Sequence, residues 1–131
     1  MKFYVDASLS VWYCQLLSAY DQGRNEYEFL PHKFGSNCPD VTWLTGISGE
    51  NPIPYVLCGD GRILKNREEN AALKGARVHF ILIQKWQKLP WRKCAVKVIA
   101  CWDDLCRQCE SKSVPTVFMV RENGKVETYS L

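Results

Sequence analysis

Four short apolar runs are separated along the chain by longer stretches with helical periodicity. The runs are rich in β-prone residues and lie at positions 3–5, 27–30, 55–58 and 78–83. Three of them stop directly at Asp, Pro or Gly, which are residues that commonly end strands. Short apolar runs without an alternating polar face are typical of strands in a parallel sheet that is covered on both faces.

The segments between these runs predict helices. Apolar residues between positions 9 and 20 recur at helical spacing, so they form one stripe of a helix that Ser8 can cap. Shorter helices are predicted to begin at Asp40 and at Asn66, because both residue types are favoured at helix N-termini. The longest predicted helix spans residues 91–112, and its apolar positions cover one arc of its surface.

The C-terminal segment, residues 115–131, predicts a β-hairpin. Two β-prone runs at 116–121 and 125–129 flank Asn123-Gly124, a strong hairpin signal. Residues 32–39 are rich in Gly, Ser, Asn and Pro, and therefore predict a loop. The alternation of strands and helices before the hairpin predicts an α/β fold with a mainly parallel sheet and helices on both faces.

Length and composition are those of a globular chain with no membrane segment. The chain has 131 residues, 47% of them hydrophobic and 24% charged, which predicts a single domain over 1–131. With 17 basic and 14 acidic residues the net charge of +3 is too small to indicate a nucleic-acid binder by itself. Neither a membrane span nor a secretory leader is predicted. We therefore expect a cytoplasmic protein whose seven cysteines are thiols.

Three aspartates are predicted to meet at one edge of the sheet. Asp6 follows the first strand, Asp60 follows the third, and Asp40 begins a helix that enters the sheet between them. Carboxylates that converge in this way repel one another unless a cation neutralises them, and oxygen ligands suit Mg²⁺ or Mn²⁺. The pattern predicts metal-assisted phosphodiester hydrolysis. Taken one at a time, two of these residues also fit structural roles: Asp60 can belong to a turn, and Asp40 can cap a helix.

Basic and acidic residues follow Asp60 closely. Arg62, Lys65 and Arg67 can bind the phosphates of a substrate beside an acidic site. Glu68 is a possible fourth carboxylate ligand of the metal. For Glu69 we favour a structural role at the start of the helix, as a capping-box partner.

Four cysteines and two histidines offer other chemistry, for which we favour structural roles. The Cys106-x-x-Cys109 spacing is compatible with zinc or redox chemistry, but Cys94, Cys101, Cys106 and Cys109 all lie on the apolar arc of the longest helix. We therefore predict that they pack in the core. His79 lies inside the strongest predicted strand, so we expect it to be packed, and His32 is expected in a solvated loop.

Tryptophans and basic residues alternate between positions 85 and 93. Such a segment can stack on single-stranded bases, or it can be a loop and helix start with its tryptophans in the core. We favour the second interpretation for Trp86 and Trp91.

Three segments together resemble a PIN-like domain, and the VapC-type toxins of toxin–antitoxin pairs in particular. They read FYVDASLS, CPDVTWL and VLCGDGRILKNREENAAL, and the likeness covers about residues 2–84. The resemblance implies a three-layer α/β/α sandwich and a ribonuclease dependent on Mg²⁺ or Mn²⁺. It assigns Asp6, Asp40 and Asp60 as the metal-binding acids and Arg62 as the basic residue after the third acid. It also implies a small antitoxin protein as inhibitor, RNA as substrate and often a homodimer.

Two other functions stay open. The family commonly carries Asn, Asp or Glu directly after its first aspartate, where this chain has Ala7, so a non-catalytic binding module with the same fold is one alternative. A phosphoacceptor receiver also uses acids at strand ends, but it requires paired acids after the first strand and a lysine after the last. Asp6-Ala7 lacks the pair, although Lys85 follows the fourth strand.

Overall fold

The computed structural model describes residues 1–83, 86 and 88–131. Within these residues, six strands form one sheet in the order β2-β1-β3-β4-β5-β6, with β1 to β5 parallel and β6 antiparallel to β5. The strands are Lys2–Val5 (β1), Glu26–Phe29 (β2), Tyr55–Cys58 (β3), His79–Leu82 (β4), Val117–Val120 (β5) and Val126–Tyr129 (β6). The predicted mainly parallel sheet with a C-terminal hairpin is confirmed.

Helices cover both faces of this sheet. They are Trp12–Tyr20 (α1), Leu30–Phe34 (α2), Asp40–Ile47 (α3), Arg67–Gly75 (α4) and Trp91–Glu110 (α5), with a 3-10 helix at Gly61–Leu64. Because successive side chains of a strand point to opposite faces, Phe3 and Val5 pack with α1 and α5, whereas Tyr4 packs with α3 and α4. The result is the three-layer α/β/α sandwich. No helix of the described segments combines the length and apolar character that membrane crossing requires.

The strand order places a crevice beside β1. Chain order reverses between β1 and β3, because β2 lies on one side of β1 and β3 to β5 lie on the other. In parallel α/β sheets, ligands bind outside the carboxyl ends of the strands at such a reversal. We therefore expect a ligand-binding site at the residues that follow β1 and β3.

Helix starts differ from the sequence-based predictions at three points. Residues 32–39 do not form a loop throughout, because α2 occupies its first part with Pro31 in the first turn, where proline costs no hydrogen bond. Ser8 does not cap α1; the helix begins at Trp12, whose N–H donates to Ser10 Oγ at 3.2 Å. Asp40 lies inside the first turn of α3 instead of capping it.

The predicted cap of α4 is confirmed. The side-chain oxygen of Asn66 accepts a hydrogen bond from the backbone N–H of Glu69 at 3.0 Å. This cap fixes where α4 begins, and it therefore fixes which residues of its first turn face α3.

The cysteines of α5 pack as predicted. Cys94, Cys101 and Cys109 are buried between α5 and the sheet, Cys106 is half-buried against the same core, and all are free thiols. Burial raises the pKa of Cys101 to about 11 and that of Cys109 to about 12, so both stay protonated at neutral pH. Their chemistry is that of small apolar side chains.

The hairpin extends the sheet at its far edge. β5 is buried and pairs with β4, while β6 forms the outer strand. Gly124 has a φ of +88°, which allows the chain to turn there. Trp86 is buried as predicted, and its indole N–H donates to the carbonyl of Glu122 at 3.2 Å. Lys85, on which the receiver alternative depends, lies outside the described residues.

Candidate active site

Asp6 is held at the carboxyl end of β1 by the loop that follows it. Its backbone N–H donates to the carbonyl of Leu57 at 2.9 Å, which continues the pairing of β1 with β3. Its carboxylate oxygen Oδ2 accepts from the backbone N–H of Ser8 at 3.1 Å and from Ser8 Oγ at 2.6 Å. Ser8 Oγ in turn accepts from the backbone N–H of Gly59 at 2.8 Å. Ser8 therefore fixes Asp6 and joins the loops after β1 and β3.

Cys58, the last residue of β3, is a second link between these loops. Its Sγ lies 3.5 Å from Asp6 Oδ2, and it accepts from the backbone N–H of Asp60 at 3.4 Å. Burial, and then the nearby charge of Asp6, raise the pKa of the Cys58 thiol well above its usual range. The thiol is therefore neutral, and it donates to the Asp6 carboxylate instead of acting as a nucleophile.

Asp60 caps the 3-10 helix that follows β3 and is paired with Arg62. Its Oδ1 accepts from the backbone N–H of Arg62 at 3.0 Å. The Arg62 guanidinium also contacts both carboxylate oxygens, with Nε 3.0 Å from Oδ1 and Nη2 2.6 Å from Oδ2. The hydrogen bonds from Arg62 lower the pKa of the Asp60 carboxyl, so this group stays ionised.

Asp40 and Glu69 form a carboxylate pair between α3 and α4. Asp40 Oδ1 accepts from the indole N–H of Trp43 at 2.8 Å, so the buried Trp43 ring holds the Asp40 side chain in place. Burial, followed by the charge of Asp40 and a hydrogen bond to it, raises the pKa of Glu69. The charge of Asp60 acts in the same direction, so Asp40, Asp60 and Glu69 are electrostatic neighbours.

The other predicted site residues lie on the surface around this cluster. Glu68 is exposed on the first turn of α4, and the carboxylate that faces Asp40 is that of Glu69. Glu69 therefore does more than the structural role that we favoured: its backbone N–H bonds the Asn66 cap, and its carboxyl group interacts with Asp40. Lys65 and Arg67 are exposed at the start of α4, a short distance along the chain from Arg62. Their binding of substrate phosphates stays a prediction.

The carboxylate oxygens at this edge are of the chemical type that binds a hard divalent cation. Carboxylate oxygens are the ligands that Mg²⁺ and Mn²⁺ prefer. In the described part of the chain, however, no group of three or more His, Cys, Asp or Glu side chains converges in the manner of a metal site. Both oxygens of Asp60 are bonded to Arg62. An ion bound by Asp60 therefore requires Arg62 to release that carboxylate.

Sequence reasoning missed the residues that support the aspartates. Ser8 was predicted as a helix cap, Cys58 as a strand residue without a further role, and Trp43 was not singled out. A serine two residues after an aspartate is a common partner of its carboxylate, and this spacing is the signal that would have identified Ser8. The local sequence does not show that Asp40 bonds Trp43, because an aspartate at a helix start can equally bond other polar groups.

One comparison with known proteins gives a match. A family model described as PIN like domain matches residues 1–85, which include β1 to β4 and all four carboxylates of the cluster. The helix α5 and the hairpin lie beyond the matched segment. No curated protein matches the chain, and no solved structure matches it.

Proposed function

The chain belongs to the PIN-like domain family, and on that basis we propose that it is a metal-dependent endoribonuclease with its active site at the carboxylate edge of the sheet. PIN-like domains form a superfamily that consists mainly of nucleases. The observation that carries the proposal is the position of Asp6 and Asp60 at the carboxyl ends of the adjacent strands β1 and β3, where the strand order reverses.

Asp6, Asp40 and Asp60 are the proposed ligands of Mg²⁺ or Mn²⁺, with Glu69 as a further carboxylate beside Asp40. The bound ion would polarise the scissile phosphate and lower the pKa of a coordinated water. Glu68 is the weaker candidate for the fourth carboxylate, because it is exposed to solvent.

The remaining residues of the edge have supporting roles in this proposal. Ser8 and Cys58 hold Oδ2 of Asp6, so that the other oxygen of this carboxylate points away from them. Arg62 keeps Asp60 ionised, and its side chain is 87% exposed, so it can turn from Asp60 to a substrate phosphate. Lys65 and Arg67 would bind neighbouring phosphates of the RNA.

We propose further that this nuclease is the toxin of a toxin–antitoxin pair, with a small antitoxin protein as inhibitor. Support comes from the likeness of the three sequence segments around Asp6, Asp40 and Asp60 to the VapC-type branch. Growth arrest on induced expression, relieved by co-expression of a small protein encoded next to this one, is the expected result. Growth that continues despite accumulation of the folded protein would exclude a toxin.

The nuclease proposal is tested by incubating the purified protein with total RNA, with Mn²⁺ or with chelator. We expect cleavage that requires the metal and that Asp60→Asn lowers by orders of magnitude. Asp103→Asn is the matched control, because Asp103 is exposed on α5 and lines a different cavity. Cleavage by Asp60→Asn at the rate of the parent would show that the site is assigned wrongly.

A binding module without catalysis is the second candidate, and one observation favours it. Both carboxylate oxygens of Asp60 are already bonded to Arg62, and Ala7 stands where the family commonly supplies another polar side chain. This candidate predicts that RNA is bound but not cleaved at any Mn²⁺ concentration. The same incubation, followed by a gel-shift measurement, separates the two functions.

A further inference from the structure

A cavity of about 340 Å³ opens at the opposite edge of the sheet, where β3 and β4 begin. Its described lining combines three apolar residues with six polar or aromatic ones: Asn51, Tyr55, Arg77, His79, Lys112 and Ser113. Tyr55 and His79 are the first residues of β3 and β4, and Lys112 and Ser113 follow the end of α5. The cavity is therefore separate from the carboxylate edge.

The charged side chains that line this cavity, Arg77 and Lys112, are both cations. No Asp or Glu occurs among the described residues that line it. The ion pairs of the described chain involve Lys2, Lys33, Arg62, Arg107, Arg121 and Lys125, but neither Arg77 nor Lys112. Arg77 Nη1 donates to the backbone carbonyl of Glu50 at 3.3 Å. Within the described residues, two cations thus line one cavity without a carboxylate in an ion pair with either.

His79 is a buried residue in the lining of this cavity. Its residue is 2% exposed, and its Nδ1 has no partner among the described residues. The imidazole stacks on Tyr55 with ring centroids 4.5 Å apart, which fixes its position. Burial lowers the pKa of His79, so the ring is neutral at pH 7. Because Nδ1 is closed off from solvent, a ligand in the cavity does not contact it, and the stacked ring serves as a fixed part of the cavity wall.

One backbone acceptor near the cavity already has two hydrogen-bond donors. The carbonyl of Cys109, at the end of α5, accepts from the backbone N–H of Lys112 at 3.1 Å and from the Tyr55 hydroxyl at 3.5 Å. Glu110, the last residue of α5, lines a neighbouring cavity. Arg77 and Lys112 can only donate hydrogen bonds to a ligand, and the side chains of Asn51 and Ser113 can also donate.

We propose that this cavity binds a phosphate dianion, either free or at the end of a nucleotide. Two unpaired cations match the charge of such an anion, and the surrounding donors match its oxygens. The volume is sufficient for a phosphate together with a sugar. The site stands independently of the nuclease proposal, because it shares no residue with the carboxylate edge.

Isothermal titration calorimetry of the whole chain with inorganic phosphate, and separately with adenosine 5′-monophosphate, tests the site. The buffers are freed of divalent cations and kept at constant ionic strength, so that the carboxylate edge cannot contribute. We expect binding, weakened about tenfold by Lys112→Gln and about tenfold by Arg77→Gln, because each removes a charged hydrogen-bond donor. Tighter binding of the nucleotide would identify a nucleotide as the ligand, and equal affinities would identify phosphate alone.

Lys93→Gln is the matched control. It removes the same charge from the first turn of α5, a helix of 20 residues and hence about 30 Å long, whose other end precedes Lys112. Its affinity for phosphate should equal that of the parent. The Lys112 and Arg77 variants therefore decide whether the two cations bind the anion. Absence of binding by both probes, or an equal loss in Lys93→Gln, would overturn the proposal.

Discussion

The two edges of the sheet carry opposite charges and are built in different ways. At the carboxyl edge, Asp6, Asp40 and Asp60 accept hydrogen bonds from Ser8, Cys58, Trp43 and Arg62. At the amino edge, Arg77, Lys112 and His79 line one cavity, and no acid among the described residues joins them there. The carboxyl edge therefore supplies its charged groups with hydrogen-bond partners from the described chain, whereas the cations that line the amino-edge cavity have no ion-pair partner among the described residues.

This difference reflects how each edge is assembled from the chain. Asp6 follows β1 directly and Asp60 follows β3 after one glycine, so the topology of a parallel sheet places both at the same edge. The amino-edge cavity needs the residues before β4 and the segment after α5, which approach each other only through the packing of α5 on the sheet. A site of the first kind can be predicted from a sequence; a site of the second kind has no local signal.

Loss of Asp6 should produce the largest effect at the carboxyl edge. Asp6→Asn keeps an oxygen that accepts from Ser8 but removes the charge that a cation needs, so we expect RNA cleavage to fall at least about 100-fold. The melting temperature should stay close to that of the parent, because the loop keeps its hydrogen bonds. Single-turnover cleavage measures the effect. An Asp6→Asn protein that cleaves as fast as the parent would remove Asp6 from the site.

Ser8 supports the edge without contacting substrate, and its loss should have an intermediate effect. Ser8→Ala removes the hydrogen bond to Asp6 and leaves the Gly59 N–H without its acceptor. We expect a loss of about 1–2 kcal/mol in stability and a 10- to 100-fold loss in cleavage, which are typical of a group that orients a ligand. Chemical denaturation and initial rates are the measurements.

Ser10→Ala is the matched control for Ser8. Ser10 lies in the same loop, but its hydroxyl accepts only from the N–H of Trp12. Its cleavage rate should match that of the parent. Equal losses in rate for both serine variants would mean that the loop, and not the bond to Asp6, matters for activity.

Most of the fold was predictable because its strands and helices carry strong apolar patterns. The arc of α5 and the runs that form β1, β3 and β4 are examples. The helix α2 was missed because Pro31 resembles a loop residue, although proline is well tolerated in the first turn of a helix. The start of α1 was misplaced because Ser8 and Ser10 are equally good caps in sequence, but the Ser8 hydroxyl is bonded to Asp6 and to the N–H of Gly59 instead.

The site was predictable only as far as topology determines it. The position of Asp60 after β3 follows from the strand, but its bidentate pair with Arg62 does not, because Arg62 two residues on can equally face solvent. The interaction of Glu69 with Asp40 was missed because it depends on how α4 is rotated about its axis. Adjacent helix residues point about 100° apart, so whether Glu68 or Glu69 faces Asp40 depends on how α4 packs on α3.

Two ligands added separately should distinguish the edges by melting temperature. Mn²⁺ should raise the melting temperature of the parent and of Lys112→Gln by about 3–6 °C, but should have little effect on Asp40→Asn. Phosphate should raise the melting temperature of Asp40→Asn but should have little effect on that of Lys112→Gln. Differential scanning fluorimetry checks both. A Mn²⁺ response that survives in Asp40→Asn would place the cation elsewhere.

The smallest expected effect concerns pH and the Asp60–Arg62 pair. Arg62 lowers the pKa of Asp60 in the folded chain, so the pair stabilises the fold above the unfolded value of about 4. That stabilisation is lost as the pH falls through the lower, folded value. In Arg62→Gln, the pKa of Asp60 should rise towards its usual range, and the stability difference from the parent should vanish at low pH. The difference at neutral pH should be slight, because the Arg62 side chain is 87% exposed and solvent screens the pair.

Carboxyl carbon NMR shifts of Asp60, followed through an acid titration, measure that pKa directly. Lys65→Gln is the control, because it removes a nearby charge from the exposed start of α4 without breaking the pair with Asp60. It should leave the pKa of Asp60 almost unchanged. An equal pKa of Asp60 in Arg62→Gln and the parent would mean that Arg62 does not neutralise this edge. The carboxylates would then carry uncompensated charge, just as the cations of the amino edge do, and the contrast between the two edges would be one of sign alone.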